Sequence, residues 1–157
     1  MTKPKPLWQV ATLQGVRLLD LRAHNTVTTA AALSDTNGIQ LHYEAIGADD
    51  HAGSRIVVTV KLSLHLGEAY AAPESAPLFV TARYEAIYGR PASAVVNDGE
   101  LQDFAQRNAM LNVWPAWREL VQSLFGRLDL ALPPLPRFQV PAPSPAQPSP
   151  TQQEPTR

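Results

Sequence analysis

Cysteine is absent from the 157 residues. That excludes disulfides, thiolate catalysis and cysteine-ligated zinc, and it suits a reducing compartment. Long apolar runs are missing too, so no segment is long enough to span a bilayer. Met1-Thr2-Lys3-Pro4-Lys5-Pro6-Leu7-Trp8 lacks the apolar stretch that follows the lysines of a signal peptide, and a cytoplasmic location without membrane insertion is expected. Neither sign of charge dominates: 13 Lys and Arg against 14 Asp and Glu leave a formal net charge of −1. This gives no footprint for nucleic acid and no polybasic membrane patch. There is no Gly-rich phosphate loop and no internal repeat, and Ser54, Ser63, Ser75 and Ser123 sit in no nucleophile-elbow context. What remains is apolar: 45% hydrophobic residues against 17% charged, enough for one domain with a core.

The densest apolar pattern is Trp114–Leu128. Trp117, Leu120, Val121, Leu124, Phe125 and Leu128 fall at i, i+3, i+4, i+7, i+8 and i+11, one stripe of an α-helix, with Arg118, Glu119, Gln122, Ser123 and Arg127 opposite. Pro115 suits the first turn of such a helix. Burying the stripe is worth about 1.5–3 kcal/mol per side chain before ordering costs, so the helix needs an apolar platform. Earlier segments supply strands. Val16–Ala23 alternates Leu19, Leu21 and Ala23 with Asp20 and Arg22, and the pattern breaks at His24-Asn25 and resumes at Thr26–Thr29, predicting one long strand with a bulge or bend there. Asp35-Thr36-Asn37-Gly38 predicts a tight hairpin to a strand over Ile39–Ile46. Arg55–Leu66 and Leu78–Ile87 alternate cleanly, as in an antiparallel sheet with one covered and one wet face.

The expected architecture is therefore α+β: a four-stranded antiparallel meander sheet, then a short and a long C-terminal helix. The short helix begins at Asn97, with Glu100 in a capping-box position, and ends before Trp114-Pro115. Residues 1–12 read as a loose N-terminal arm and 13–138 as the domain, with Leu130–Phe138 extended and packed by its leucines. Nine of the fifteen prolines lie from Pro133 onward, and residues 139–157 read as a disordered Pro-rich tail.

Polar candidates are weak. His42 and Glu44 share one strand face but have no third metal ligand at a fitting spacing, and Asp49-Asp50-His51 reads as a polar hairpin tip. No metal, no cofactor and no catalytic residue is predicted, and an enzyme is not expected. The apolar excess says more. One helical layer covers one face of a sheet, yet Val57, Phe79 and Ile87 lie on the other and the first strand is apolar along much of its length. That suggests self-association or an apolar binding groove.

Asn108-Ala-Met-Leu-Asn-Val-Trp-Pro-Ala-Trp-Arg-Glu-Leu-Val-Gln-Ser-Leu-Phe-Gly-Arg127, closing on Leu132-Pro-Pro-Leu-Pro-Arg-Phe138, resembles the C-terminal half of the SecB family. It is more similar to the branch found with toxin–antitoxin systems, in which Asn-x-Trp-Pro-Tyr-x-Arg-Glu and a Leu-Pro-Pro-Leu run are common; Val16–His24 resembles that branch's first strand. Ala116 departs from the pattern, standing where an aromatic is common, and Asp129-Leu130-Ala131 lengthens the approach to the prolines. The resemblance implies a homotetramer, a dimer of dimers, acting as an ATP-independent holdase for unfolded or nascent polypeptides and assisting protein export. It implies a client groove between sheet and long helix, and Leu19, Leu21, Tyr43, Leu124, Phe125 and Leu128 are the residues expected to line it. The translocase motor SecA and an antitoxin are the further partners it implies, and an antitoxin-specific adaptor is the alternative function. Export chaperones of the family offer SecA an acidic sheet surface, whereas Lys61, His65 and Arg83 here mix with Glu44 and Glu85.

Overall fold

A computed structural model describes residues 5–27, 39–50, 54–67, 75–131, 135 and 138. Strands β1 (Thr12–Asn25), β2 (Ile39–Asp50), β3 (Arg55–Leu66) and β4 (Leu78–Gly89) form one antiparallel sheet in the order β1-β4-β3-β2. The α+β class and the four antiparallel strands are as expected; the meander order is not. β2, β3 and β4 are sequential neighbours, but β1 pairs with β4, which makes a Greek key. The ladder matches opposite charges: Arg17 is ion-paired to Glu85, and Asp20 stands opposite Arg83. The connection over residues 26–38 is also far longer than a tight hairpin needs. At about 3.3 Å per residue it can cross three strand spacings of about 4.8 Å. The expected Asn37-Gly38 turn lies outside the described residues.

The strand does not run on through a bulge or bend at His24-Asn25 as expected. β1 ends at Asn25, whose side chain accepts a hydrogen bond from the Val27 N–H at 2.9 Å. The register shifts lie earlier, between Leu13 and Gly15 and between Leu18 and Asp20. The second shift changes which leucines share a face: Leu18 lies opposite Tyr84 and Leu21 opposite Ala82, on the helix-facing side, and Leu19 occupies the irregularity. That side of β3 and β4 is the core, with Val58, Val60, Leu62, Leu64, Ala82 and Ala86 fully buried.

The loose arm is anchored from Leu7 on. Leu7–Val10 forms a helical turn (α1), Leu7 is buried, and its N–H donates to the Glu100 carboxylate. Glu100 therefore does not complete the expected reciprocal capping box, although Asn97 does cap the next helix, accepting from the Glu100 N–H at 2.8 Å. The short and long helices are both present as α2 (Asp98–Phe104) and α3 (Met110–Arg127), but they are one rod joined by a π-helical turn, Ala105–Ala109. Trp114-Pro115 is thus no boundary: Pro115 lies inside α3. The buried positions explain the π turn. Leu101, Ala105, Ala109, Val113, Trp117, Val121 and Phe125 are all buried and recur every four residues. An α-helix overshoots by about 40° at each such step. One wider turn absorbs part of that drift and keeps Asn108 and Asn112 out of the core.

Two contacts seat the rod. Gly47 of β2 lets α2 approach closely, since a Cβ there would stand 2.9 Å from the Leu101 side chain and 3.2 Å from its carbonyl oxygen. Gly47→Ala is expected to cost about 1–3 kcal/mol in chemical denaturation; an unchanged midpoint would show that the rod shifts freely. Arg90 donates to both carboxylate oxygens of Asp49 at 2.8 and 2.9 Å and to the carbonyls of Pro91 and Ala94. It clasps the end of β2 to the turn that leads into the helix.

Candidate functional site

The register sets the site. Leu21, Ala82, Leu62 and Tyr43 lie in one row across β1, β4, β3 and β2 on the helix-facing side. The two middle residues are fully buried, while the ends emerge on either side of the covered core. Leu21 and Tyr43 are three strand spacings apart, about 14 Å. The expected groove residues therefore divide between two flanks. On the β1 flank, Leu13, Leu18, Leu19 and Leu21 are 38–45% exposed. Along the C-terminal part of α3, Leu124 is half-buried, Leu128 exposed and Phe125 buried in the core.

On the β2 flank Tyr43 is 42% exposed. Phe138 meets it edge-on at 5.6 Å between ring centroids and meets Trp114 at 5.9 Å, tilted by 37°. Trp114, Phe138, Leu13 and Leu18 were not among the residues expected from sequence. Leu18 was hidden by the register shift, which reverses face parity. The Phe138–Tyr43 contact joins positions nearly a hundred residues apart and has no local signal.

The opposite face of the sheet carries the polar candidates. Asp20, Arg83, Lys61 and Glu44 stand in one row across the four strands, giving balanced charge rather than an acidic surface. His65 is not on a wet face as expected. It is fully buried, Ser63 beside it is nearly so, and the His42 ring lies flat against His65 at 5.3 Å. Phe79 stands opposite His65 and stacks with His24. His42 and Glu44 do not converge on a metal position, and among the described residues no group of three His, Asp or Glu could hold one. Asp49 is engaged by Arg90, and His51 lies outside the described residues.

Burial, and then the neighbouring His42, lower the pKa of His65 below its ordinary value. Between that lowered value and about 6.5 the unfolded chain binds more protons than the native one, so stability must rise with pH in that window and fall on acidification. Denaturation midpoints from pH 7.5 to 5 are expected to drop below about pH 6.5, by at most about 1.4 kcal/mol per pH unit for this proton. His65→Phe should flatten that limb, and an equal slope in the variant would remove His65 as its cause. Beneath the helix, burial raises the Tyr84 hydroxyl to about 12, with Glu119 adding to the effect. Burial also raises Tyr88, whose hydroxyl oxygen accepts from Asn112 at 2.9 Å. These hydroxyls stay protonated and serve packing.

The overall arrangement has a counterpart among solved structures. The Mycobacterium tuberculosis Rv1957 SecB-like chaperone, in complex with a ChAD peptide from the Rv1956 HigA1 antitoxin, superposes with a TM-score of 0.64 at 23% identity. The match covers 87% of this chain and 96% of that one. The chain has a SecB-like fold. No protein-family model matches the sequence, and no curated protein does. The two apolar flanks thus lie on a SecB-like sheet and helix. Among the described residues no helix is long and apolar enough to cross a membrane.

Proposed function

We propose that this protein is an ATP-independent holdase that binds extended apolar segments of unfolded or nascent polypeptides. The observation that carries the reading is the row from Leu21 to Tyr43, whose apolar ends stay exposed beside a helix that buries its middle. A client chain laid along either flank buries leucine and aromatic side chains, and β1, at the sheet edge, offers backbone hydrogen bonds. Such recognition is broad because it reads apolarity and extension rather than sequence. In this reading Leu19, Leu21, Tyr43, Leu124 and Leu128 touch the client, and Phe125 shapes the core beneath them. The protein works without cofactor or catalysis, as a cytoplasmic homotetramer. The balanced row of Asp20, Arg83, Lys61 and Glu44 supports holding clients over docking SecA, which the family's export chaperones meet with an acidic sheet surface.

Scattering of an aggregating reduced client in the presence of stoichiometric protein tests this. Suppression is expected, and weaker suppression by Leu18→Asp with Leu21→Asp. No suppression across several clients would overturn the reading. The second reading, an antitoxin-specific adaptor, is favoured by the antitoxin peptide held by the mycobacterial chaperone of the same fold. Capture from native cells separates them: one dominant partner supports the adaptor, many unrelated chains the general holdase.

A further inference from the structure

The β2 flank is already occupied, and by this chain's own Phe138. Helix α3 ends in a Schellman motif: the Leu130 N–H donates to the Phe125 carbonyl at 3.1 Å and the Asp129 N–H to that of Gly126 at 3.4 Å, with Asp129 at φ 53°. This reverses the chain and buries Leu130. From Leu128 back to Trp114 is about 21 Å along a helix, and the eight residues after Leu130 can span about 27 Å. Phe138 is therefore within reach of Trp114, and its ring lies against both Trp114 and Tyr43. Leu135 and Phe138 are only half-buried, and Tyr43 stays 42% exposed under the contact. The contact can open without disturbing the core below it.

From this geometry we infer that Phe138 is a tethered competitor for the aromatic seat of Tyr43 and Trp114, and that an aromatic side chain of an extended client binds there by displacing it. The inference rests on the polypeptide-binding reading. Tethering keeps Phe138 at an effective concentration on the order of millimolar, so weak segments are refused and only those that also engage neighbouring apolar surface displace it. The apparent affinity falls by the fraction of time that the seat is free. With two ring contacts holding Phe138, removing the ring should strengthen binding roughly tenfold.

The test uses the full chain, unaltered and as Phe138→Ala, with two probes followed by fluorescence anisotropy. One is a labelled peptide of the sequence Leu-Ala-Leu-Pro-Pro-Leu-Pro-Arg-Phe-Gln-Val, residues 130–140; the other is a reduced, carboxymethylated protein that cannot fold. Phe138→Ala is expected to bind the peptide about tenfold more tightly than the unaltered chain, and adding Tyr43→Ala should abolish the gain. Phe138→Leu, which keeps apolar volume, should fall between and serves if the alanine variant does not fold. Equal peptide affinity for the unaltered chain and a folded variant, or a gain that survives Tyr43→Ala, overturns the inference. A gain for the peptide with no binding of the unfolded protein to any variant supports the competitor and overturns the holdase reading instead.

Discussion

Trp117→Ala is expected to lose about 3–5 kcal/mol of folding stability, a large part of the 5–15 kcal/mol typical of a domain. Trp117 is fully buried near the middle of α3, among Val113, Val121 and Phe125. Removing the indole leaves a cavity between the rod and the sheet that neighbours at close-packed density cannot fill. Trp117→Phe separates shape from polarity. The buried indole Nε1–H meets no acceptor among the described residues. The phenyl ring therefore gives up no hydrogen bond and removes an unsatisfied donor, an effect that offsets part of its smaller volume. The phenylalanine variant is expected to lose less than about 1.5 kcal/mol. Denaturant titration of both measures the difference, and equal losses would mean that indole volume alone holds the rod.

The rod matters because it keeps the two apolar flanks apart. In the row Leu21, Ala82, Leu62, Tyr43 the middle is buried and the ends are exposed. If the rod lifted, Leu62 and Ala82 would join the exposed ends in one large patch, prone to aggregate rather than to bind reversibly. Core packing at Trp117 and binding at the flanks are thus coupled through the position of one helix. Gly47 and Arg90 serve the same end, one by permitting close approach and the other by fixing the turn that starts the helix.

Much of the fold was legible from periodicity. The alternation in β3 and β4 predicted which residues face the helices, because side-chain direction in a strand follows from spacing alone. Asn97 was legible as a cap for a similar reason, its partner being three residues away. Strand order was not. The pairing of β1 with β4 rather than β2 brings together positions more than sixty apart, Arg17 opposite Glu85 and Asp20 opposite Arg83 among them. The candidate site suffered most from this. With β1 beside β2, Leu19, Leu21 and Tyr43 would share one groove; in the actual order two buried strands separate them. His65 misled for another reason: alternation assigns a face, but whether that face is wet depends on what lies over it.

The helix boundary at Trp114-Pro115 was misread by a rule that is sound on average, since proline favours a first turn and disfavours helix in the residue before it. Here the buried stripe continues through it, with Val113 and Trp117 both buried, and packing overrides the local preference. The override has a cost that can be measured. Proline at 115 cannot donate to the Leu111 carbonyl one turn earlier, and its ring crowds that carbonyl, a penalty of about 3 kcal/mol in a helix interior. Proline also restricts the unfolded chain, which returns about 0.4–1 kcal/mol. Pro115→Ala is accordingly expected to stabilise the protein by about 2 kcal/mol, because alanine restores the missing hydrogen bond without touching the buried stripe. The same change restores a backbone hydrogen bond beside Trp114, one wall of the Phe138 seat, so peptide affinity at that flank should shift while stability rises. A Pro115→Ala variant no more stable than the unaltered chain would show that the helix is already relaxed around the proline.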